Sequence, residues 1–250
     1  HFIQAVDGLS PSPGTAIAFH GDTAADDIEF QAPVCVTDKV RRRRMLTVEE
    51  YSYARARARM PVKVTLPSPL LFYPLWSPTH SRDAYPDAFD LFADAADLVR
   101  EEAGELAALG CEYIQIDAPE LAQLFGDPRH RAQWEKLGVS PERAMTEGVD
   151  LVNSVADVPG VTFGLHLCRG NYKSRWIAEG DYSEFSQNAF RRATNYDTFL
   201  LEYDDARSGT FEPLAKLPDG KTAVLGLVST KHDRLESVAE LVERINDASK

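Results

Sequence analysis

From residue 60 onward, short apolar runs alternate with longer stretches in which apolar residues return every three or four positions. That alternation of strand and helix builds a parallel sheet. Residues 61–66 read as a strand stopped by Pro67-Ser68-Pro69. Residues 84–109 give the clearest helix, with Phe89, Phe92, Ala96, Val99, Ala103 and Leu106 on one stripe and Gly110 where the helix must turn away. Residues 112–117 form the next strand. A helix follows from Ser140-Pro141-Glu142, a cap, a first-turn proline and a favourably placed acid, and runs to about residue 158. Strands are then expected at 161–168, 198–202 and 221–228, and helices at 182–192 and 234–249. These strands are apolar along most of their length, which predicts parallel strands covered on both faces. Five such units suit a doubly wound sheet or most of an eight-stranded barrel. No glycine-rich phosphate loop follows any strand, so a nucleotide-binding doubly wound fold loses ground.

Residues 1–60 are less regular. Ser10-Pro-Ser-Pro-Gly14 is a turn cluster. Residues 15–21 and 27–37 read as two short strands in an antiparallel pair, linked by polar residues 22–26. Arg41-Arg42-Arg43-Arg44 is the strongest charge run. It reads as a solvated segment paired with neighbouring acids, or as a clamp for a carboxylate or phosphate.

Bulk properties narrow the function. A chain of 250 residues, 44% hydrophobic, can build a sizeable core, and its net charge of −12 argues against nucleic-acid or anionic-membrane partners. No apolar run reaches the roughly 20 residues of a membrane span. Cys35, Cys111 and Cys168 are too few and too scattered for a disulfide framework; reduced thiols in a cytoplasmic enzyme are the simpler expectation.

Polar residues collect where the strands end. Asp117, then His166 with Cys168, then Glu202, then Ser229 with Lys231 and His232 all fall at the C-terminal ends of successive strands, the reactive face of a barrel. His166 and Cys168 are two apart, so on a strand their side chains point the same way. An imidazole and a thiolate suit zinc, although two residues do not define a four-coordinate site and a buried His and Cys also serve simply as packing. Gly170 permits a sharp exit from that strand. Arg169 reads as a partner for a substrate carboxylate or for a neighbouring acid, and His232 as a proton shuttle or an exposed loop residue. Trp76, Trp134 and Trp176 follow strand ends and suit either a pocket wall or the core.

The ordered set Gln115-Ile-Asp117, His166-Leu-Cys168-Arg-Gly-Asn171, Phe199-Leu-Leu-Glu202-Tyr-Asp-Asp205 and Val224-Leu-Gly-Leu-Val228 resembles the cobalamin-independent methionine synthase family, in particular its C-terminal catalytic barrel and the single-domain bacterial proteins similar to it. The resemblance runs from Val62 through nearly the whole remaining chain. It implies a (β/α)8 TIM barrel of the methionine synthase and uroporphyrinogen decarboxylase type. Residues 1–250 would form one catalytic barrel domain, with 1–60 as an inserted hairpin region and 61–250 as successive strand–helix units. It further implies zinc held by His166, Cys168 and Glu202, and Asp117 binding the substrate amino group. Arg169, Ser229 and Lys231 would be substrate-binding, with His232 joining Asp117 in catalysis. The implied reaction is methyl transfer to a thiol, homocysteine giving methionine, from a folate or other donor through a zinc-bound thiolate. An oligomer is left open.

Three features depart from the family pattern. Ala118 stands where a second acid usually precedes the proline, with Glu120 nearby but out of phase. The family's fourth zinc ligand, a cysteine on the last strand, has no counterpart, and neither have its first two strands. The chain is therefore expected to be the middle of a longer polypeptide, a barrel incomplete at both ends. Alkyl transfer from an epoxide to a thiol cofactor, a metal-free lyase of the uroporphyrinogen decarboxylase type, and a non-catalytic relative remain the rival readings.

Overall fold

The computed structural model describes residues 2–250. The N-terminal region is more ordered than its sequence predicts. β1 (Val6–Ser10), β2 (Ala16–Phe19), β3 (Ile28–Gln31) and β4 (Cys35–Arg42) form two antiparallel pairs, β2 with β3 and β1 with β4. The expected strand over 27–37 is thus split at Ala32–Val34, where Pro33 cannot donate to a ladder. Its second half pairs with β1, a segment that reads as irregular. The arginine run is the end of β4 and the turn after it. Arg42 pairs with Glu101, Glu102 and Glu105, and Arg43 with Asp7, which makes the run a structural seam.

The seam is closed by helix α1 (Val48–Arg55) and by Glu102 of helix α2 (Ala88–Ala108). Fully buried, the Glu102 carboxylate accepts hydrogen bonds from the Leu46 and Thr47 amides and the Thr47 hydroxyl. α2 forms where expected because Asp87 caps it, accepting from the Phe89 amide, and because its stripe of Phe92, Val99, Ala103 and Leu106 is wholly buried. Burial of each large member contributes about 2 kcal/mol.

Five parallel strands follow in spatial order: β5 (Lys63–Pro67), β6 (Tyr113–Asp117), β7 (Thr162–Leu167), β8 (Thr198–Glu202) and β9 (Thr222–Gly226). Helices α3 (Pro119–Gly126), α4 (Pro128–Lys136), α5 (Pro141–Arg143), α6 (Val149–Val155), α7 (Ser183–Arg192) and α8 (Val238–Ala248) fill the connections. α5 and α6 are joined through a π-helical turn at Ala144–Gly148, so the helix expected from Ser140 is present but locally widened. Ser140 caps it as predicted, and Ser237 caps α8. α3 and α4 occupy a stretch in which the sequence pattern placed no element.

One expectation needs correcting. The strands are not covered alike on both faces: β5 alternates exposed Lys63 and Thr65 with buried Val64 and Leu66, and β9 exposes Thr222, Val224 and Gly226. The helices cover one face. The other is the inner face of the barrel-type curve and carries Lys63, Gln115, His166 and Thr198. Gly164 sits at its centre because a Cβ there would lie 2.7 Å from the Tyr113 hydroxyl and 2.8 Å from Thr198 Oγ1. Trp76 and Trp134 belong to the core, while Trp176 bridges to the N-terminal hairpin by paired backbone hydrogen bonds with His20. Among the described residues no helix is long and apolar enough to cross a membrane.

Candidate active site at the strand ends

Parallel registration brings the predicted polar residues to one end of the sheet. Asp117 lies opposite His166 across β6 and β7, and Glu202 opposite Gly226 across β8 and β9. Between them opens a cleft of about 360 Å³ whose wall includes Gln115, His166, Cys168, Glu202, Asp204 and Lys231. Gly170, with a positive φ of 85°, turns the chain out of β7 and delivers Asn171 to the same wall. Asn171 Nδ2 donates to Thr230 Oγ1 at 2.9 Å, closing the rim between the loops after β7 and β9.

His166 is set by its neighbours. Its Nδ1 lies 2.8 Å from Asp117 Oδ1, which also accepts from Gln115 Nε2 at 2.7 Å; Gln115 Oε1 in turn accepts from Lys63 Nζ at 2.6 Å. A carboxylate on one ring nitrogen fixes the tautomer and leaves Nε2 for the cleft, the usual support of a metal-binding histidine. Burial works against charge on the ring, but Asp117 and the adjacent Cys168 outweigh it and raise His166 to about 10. Any metal accepted at this imidazole therefore displaces a proton.

Glu202 is held from two sides. Its Oε2 accepts from the Arg169 amide at 2.7 Å, and its Oε1 from Lys231 Nζ at 2.7 Å. Lys231 also donates to Asp204 Oδ2 at 2.7 Å, and so does the Ser229 hydroxyl. Burial opposes the charge on Lys231, yet the two carboxylates prevail and raise its pKa. Burial likewise pushes Asp204 upward, but the ammonium and the Ser229 hydroxyl more than reverse this and hold it below the usual carboxylate range.

The predicted residues thus divide. His166, Cys168, Glu202 and Lys231 share the cleft wall, with Asp117 behind His166. Ser229 faces Asp204 and serves the cleft indirectly. Arg169 does not line the cleft: its guanidinium is buried, donates to Gly180 O at 2.7 Å and stacks 4.1 Å from the Tyr182 ring centroid. Leaving β7, the chain reverses its side-chain direction from Cys168 to Arg169, so the backbone amide of Arg169 reaches the Glu202 carboxylate while its guanidinium reaches the Glu202 backbone carbonyl, 3.4 Å away. His232 is exposed on the loop before α8, beyond the cleft wall.

Asp204 and Gln115 were not singled out from the sequence as site residues. Asp204 follows Glu202 by two, the spacing that aligns His166 with Cys168, and that signal could have found it. Glu120 is the third addition. It is fully buried beneath Asp117, accepts from the Ser68 hydroxyl at 2.6 Å, and leaves Oε2 without a partner.

The donor set of imidazole, thiol and carboxylate fits zinc in chemistry. Its three members line one cleft, but among the described residues no three His, Cys, Asp or Glu side chains form a ready metal cluster. His166 and Cys168 are adjacent, whereas the Glu202 oxygen that would complete the set is turned to Lys231.

Residues 14–250 match the family model described as the cobalamin-independent synthase catalytic domain. Among curated relatives, the uncharacterized protein YxjG of Bacillus subtilis (strain 168) is 32% identical over 262 residues, covering 100% of this chain and 65% of the relative. A methionine synthase of Pyrococcus abyssi (strain GE5 / Orsay) is 24% identical over 249 residues, covering 99% of this chain and 61% of that protein. The chain therefore spans just under two thirds of these curated relatives. In fold it is similar to a B12-independent methionine synthase from Shewanella sp. W3-18-1 in complex with selenomethionine, with a TM-score of 0.75 and 20% identity over 99% of this chain and 66% of that one.

Proposed function

The chain belongs to the cobalamin-independent synthase catalytic-domain family, and from that premise we propose that it forms the catalytic part of a zinc-dependent enzyme transferring a methyl group to a thiol, with homocysteine as the acceptor and a folate or similar compound as the donor. The observation that carries this reading is the meeting of His166, Cys168 and Glu202 on one cleft wall, with His166 fixed by Asp117. These three would hold the metal. Bound zinc supplies Lewis acidity, which makes a thiol a nucleophile near neutral pH.

The protein's own groups account for the rest of the reading. Asp117 holds the His166 ring with Oδ1, and its carboxylate would also accept an ammonium group of an amino-acid substrate. Such a two-point grip limits the directions from which the sulfur can approach a methyl donor. Lys231 and the Arg169 amide hold Glu202 in orientation. The methionine synthase named among the relatives supports the choice of acceptor.

Metal analysis of purified protein tests the reading. We expect one zinc per chain, lost in Cys168→Ser while the circular dichroism spectrum is retained. Wild-type protein that folds but takes up no zinc at micromolar concentration would overturn it.

A further inference from the structure

Lys231 presents a contradiction to the proposed metal site. Its ammonium is almost wholly buried, 2.7 Å from Oε1 of Glu202, one of the three residues that would hold the metal. If zinc takes Glu202, a buried cation loses a partner while a divalent cation arrives beside it. Burying an unpaired charge is costly, so this exchange would oppose metal binding unless the lysine has somewhere to go.

Asp204 offers that place. Its Oδ2 already accepts from Lys231 at 2.7 Å, and its Oδ1 is buried with no partner. A hydrogen leaving Glu202 therefore meets an oxygen still short of a donor. The loop carrying Lys231 is also tied to Asp204 independently of Glu202: the Ser229 hydroxyl donates to Asp204 Oδ2 and accepts from the Lys231 amide at 3.2 Å. Meanwhile the Arg169 amide pins Glu202 Oε2, leaving Oε1 as the oxygen free to turn.

We propose that Asp204 is a positioning residue that parks the Lys231 ammonium when Glu202 is given up to the metal. The inference rests on the zinc reading above. It says that a residue which is not a ligand sets the affinity of the site, by receiving the cation that occupies it beforehand.

The test is zinc affinity by competition with a chromophoric chelator, for wild type, Asp204→Asn, Lys231→Met and the double variant, each checked for fold by circular dichroism. Asp204→Asn should bind at least tenfold more weakly, because Lys231 then keeps Glu202. Lys231→Met should bind as tightly as wild type or more so, and the double variant should return to at least wild-type affinity. A crystal structure of zinc-loaded Asp204→Asn should show Glu202 still on Lys231. Wild-type affinity in Asp204→Asn, or Glu202 on the metal in that crystal, would overturn the proposal. Should Asp204→Asn fail to fold, the double variant decides: a tenfold loss there also overturns it. A wild-type protein that binds no zinc would instead sink the metal reading itself and this inference with it.

Discussion

Glu120 makes a sharp test of the electrostatics beneath the site. The side chain is fully buried on α3; its Oε1 accepts from the Ser68 hydroxyl, and its Oε2 is without a partner. Burial is the largest influence on it, and the nearby charge of Asp117 adds to this. The Ser68 bond, the backbone amide of Glu120 and the charge of His166 pull the other way, and the net effect is a pKa raised from 4.5 to about 8. In the unfolded chain the carboxyl loses its proton through the ordinary range, while in the folded chain it keeps it until about pH 8. Between those limits the folded state holds one more proton, so stability must fall as pH rises. The slope has a ceiling of about 1.4 kcal/mol per pH unit, and the contribution is level below and above the window. Glu120→Gln removes the titration but keeps an oxygen for Ser68. Its amide nitrogen meets the same lack of a partner as Oε2, a cost that does not change with pH and drops out of the comparison. Urea unfolding of both proteins at pH 5, 6, 7 and 8 and fixed ionic strength gives the difference directly. We expect wild type to lose at least about 2 kcal/mol relative to the variant from pH 5 to 8. A difference constant to within about 0.5 kcal/mol across that range would refute the assignment of a buried neutral carboxyl.

Other consequences follow from the same contacts. Asp117→Asn weakens the support of His166, and zinc affinity should drop by about 10- to 100-fold in chelator competition. Glu102→Ala strips the Leu46 and Thr47 amides and Arg42 of a shared buried acceptor. It should cost about 3 kcal/mol in denaturant unfolding and open residues 1–47 to limited proteolysis, and an unchanged cleavage pattern would contradict this role. Gly164→Ala forces a methyl group against Tyr113 and Thr198 on the inner face and should cost about 1–3 kcal/mol, read as a lowered Tm.

The order of strands and helices beyond residue 60 was determined locally. Periodicity placed α2 because one stripe of a helix must be buried whatever it packs against. Ser140 marked a helix start because a hydroxyl cap acts within three residues. The spacing of His166 and Cys168 put them on the same side because a strand alternates every residue. These are short-range consequences of backbone geometry, and the sequence alone carries them.

What it did not carry depends on contacts between distant residues. The pairing of β1 with β4 joins segments some thirty residues apart, of which β1 read as irregular and β4 was expected only as far as residue 37. Arg169 read from the sequence as a partner for a substrate carboxylate or for a neighbouring acid, and the fold turns its side chain inward, onto Tyr182 and Gly180; His232 read as a proton shuttle or an exposed loop residue, and it lies exposed on its loop. Glu120 is out of phase with the strand-end acids, and only the packing of α3 brings it under Asp117. The pairing of Lys231 with Glu202 and Asp204 is likewise a tertiary fact, since a lysine's length lets it choose among carboxylates and the chain's path fixes which are near. The sequence by itself determined which chemical groups reach the end of the sheet. The tertiary structure decided which of them face one another, because charge and hydrogen bonding depend on distances that only packing sets.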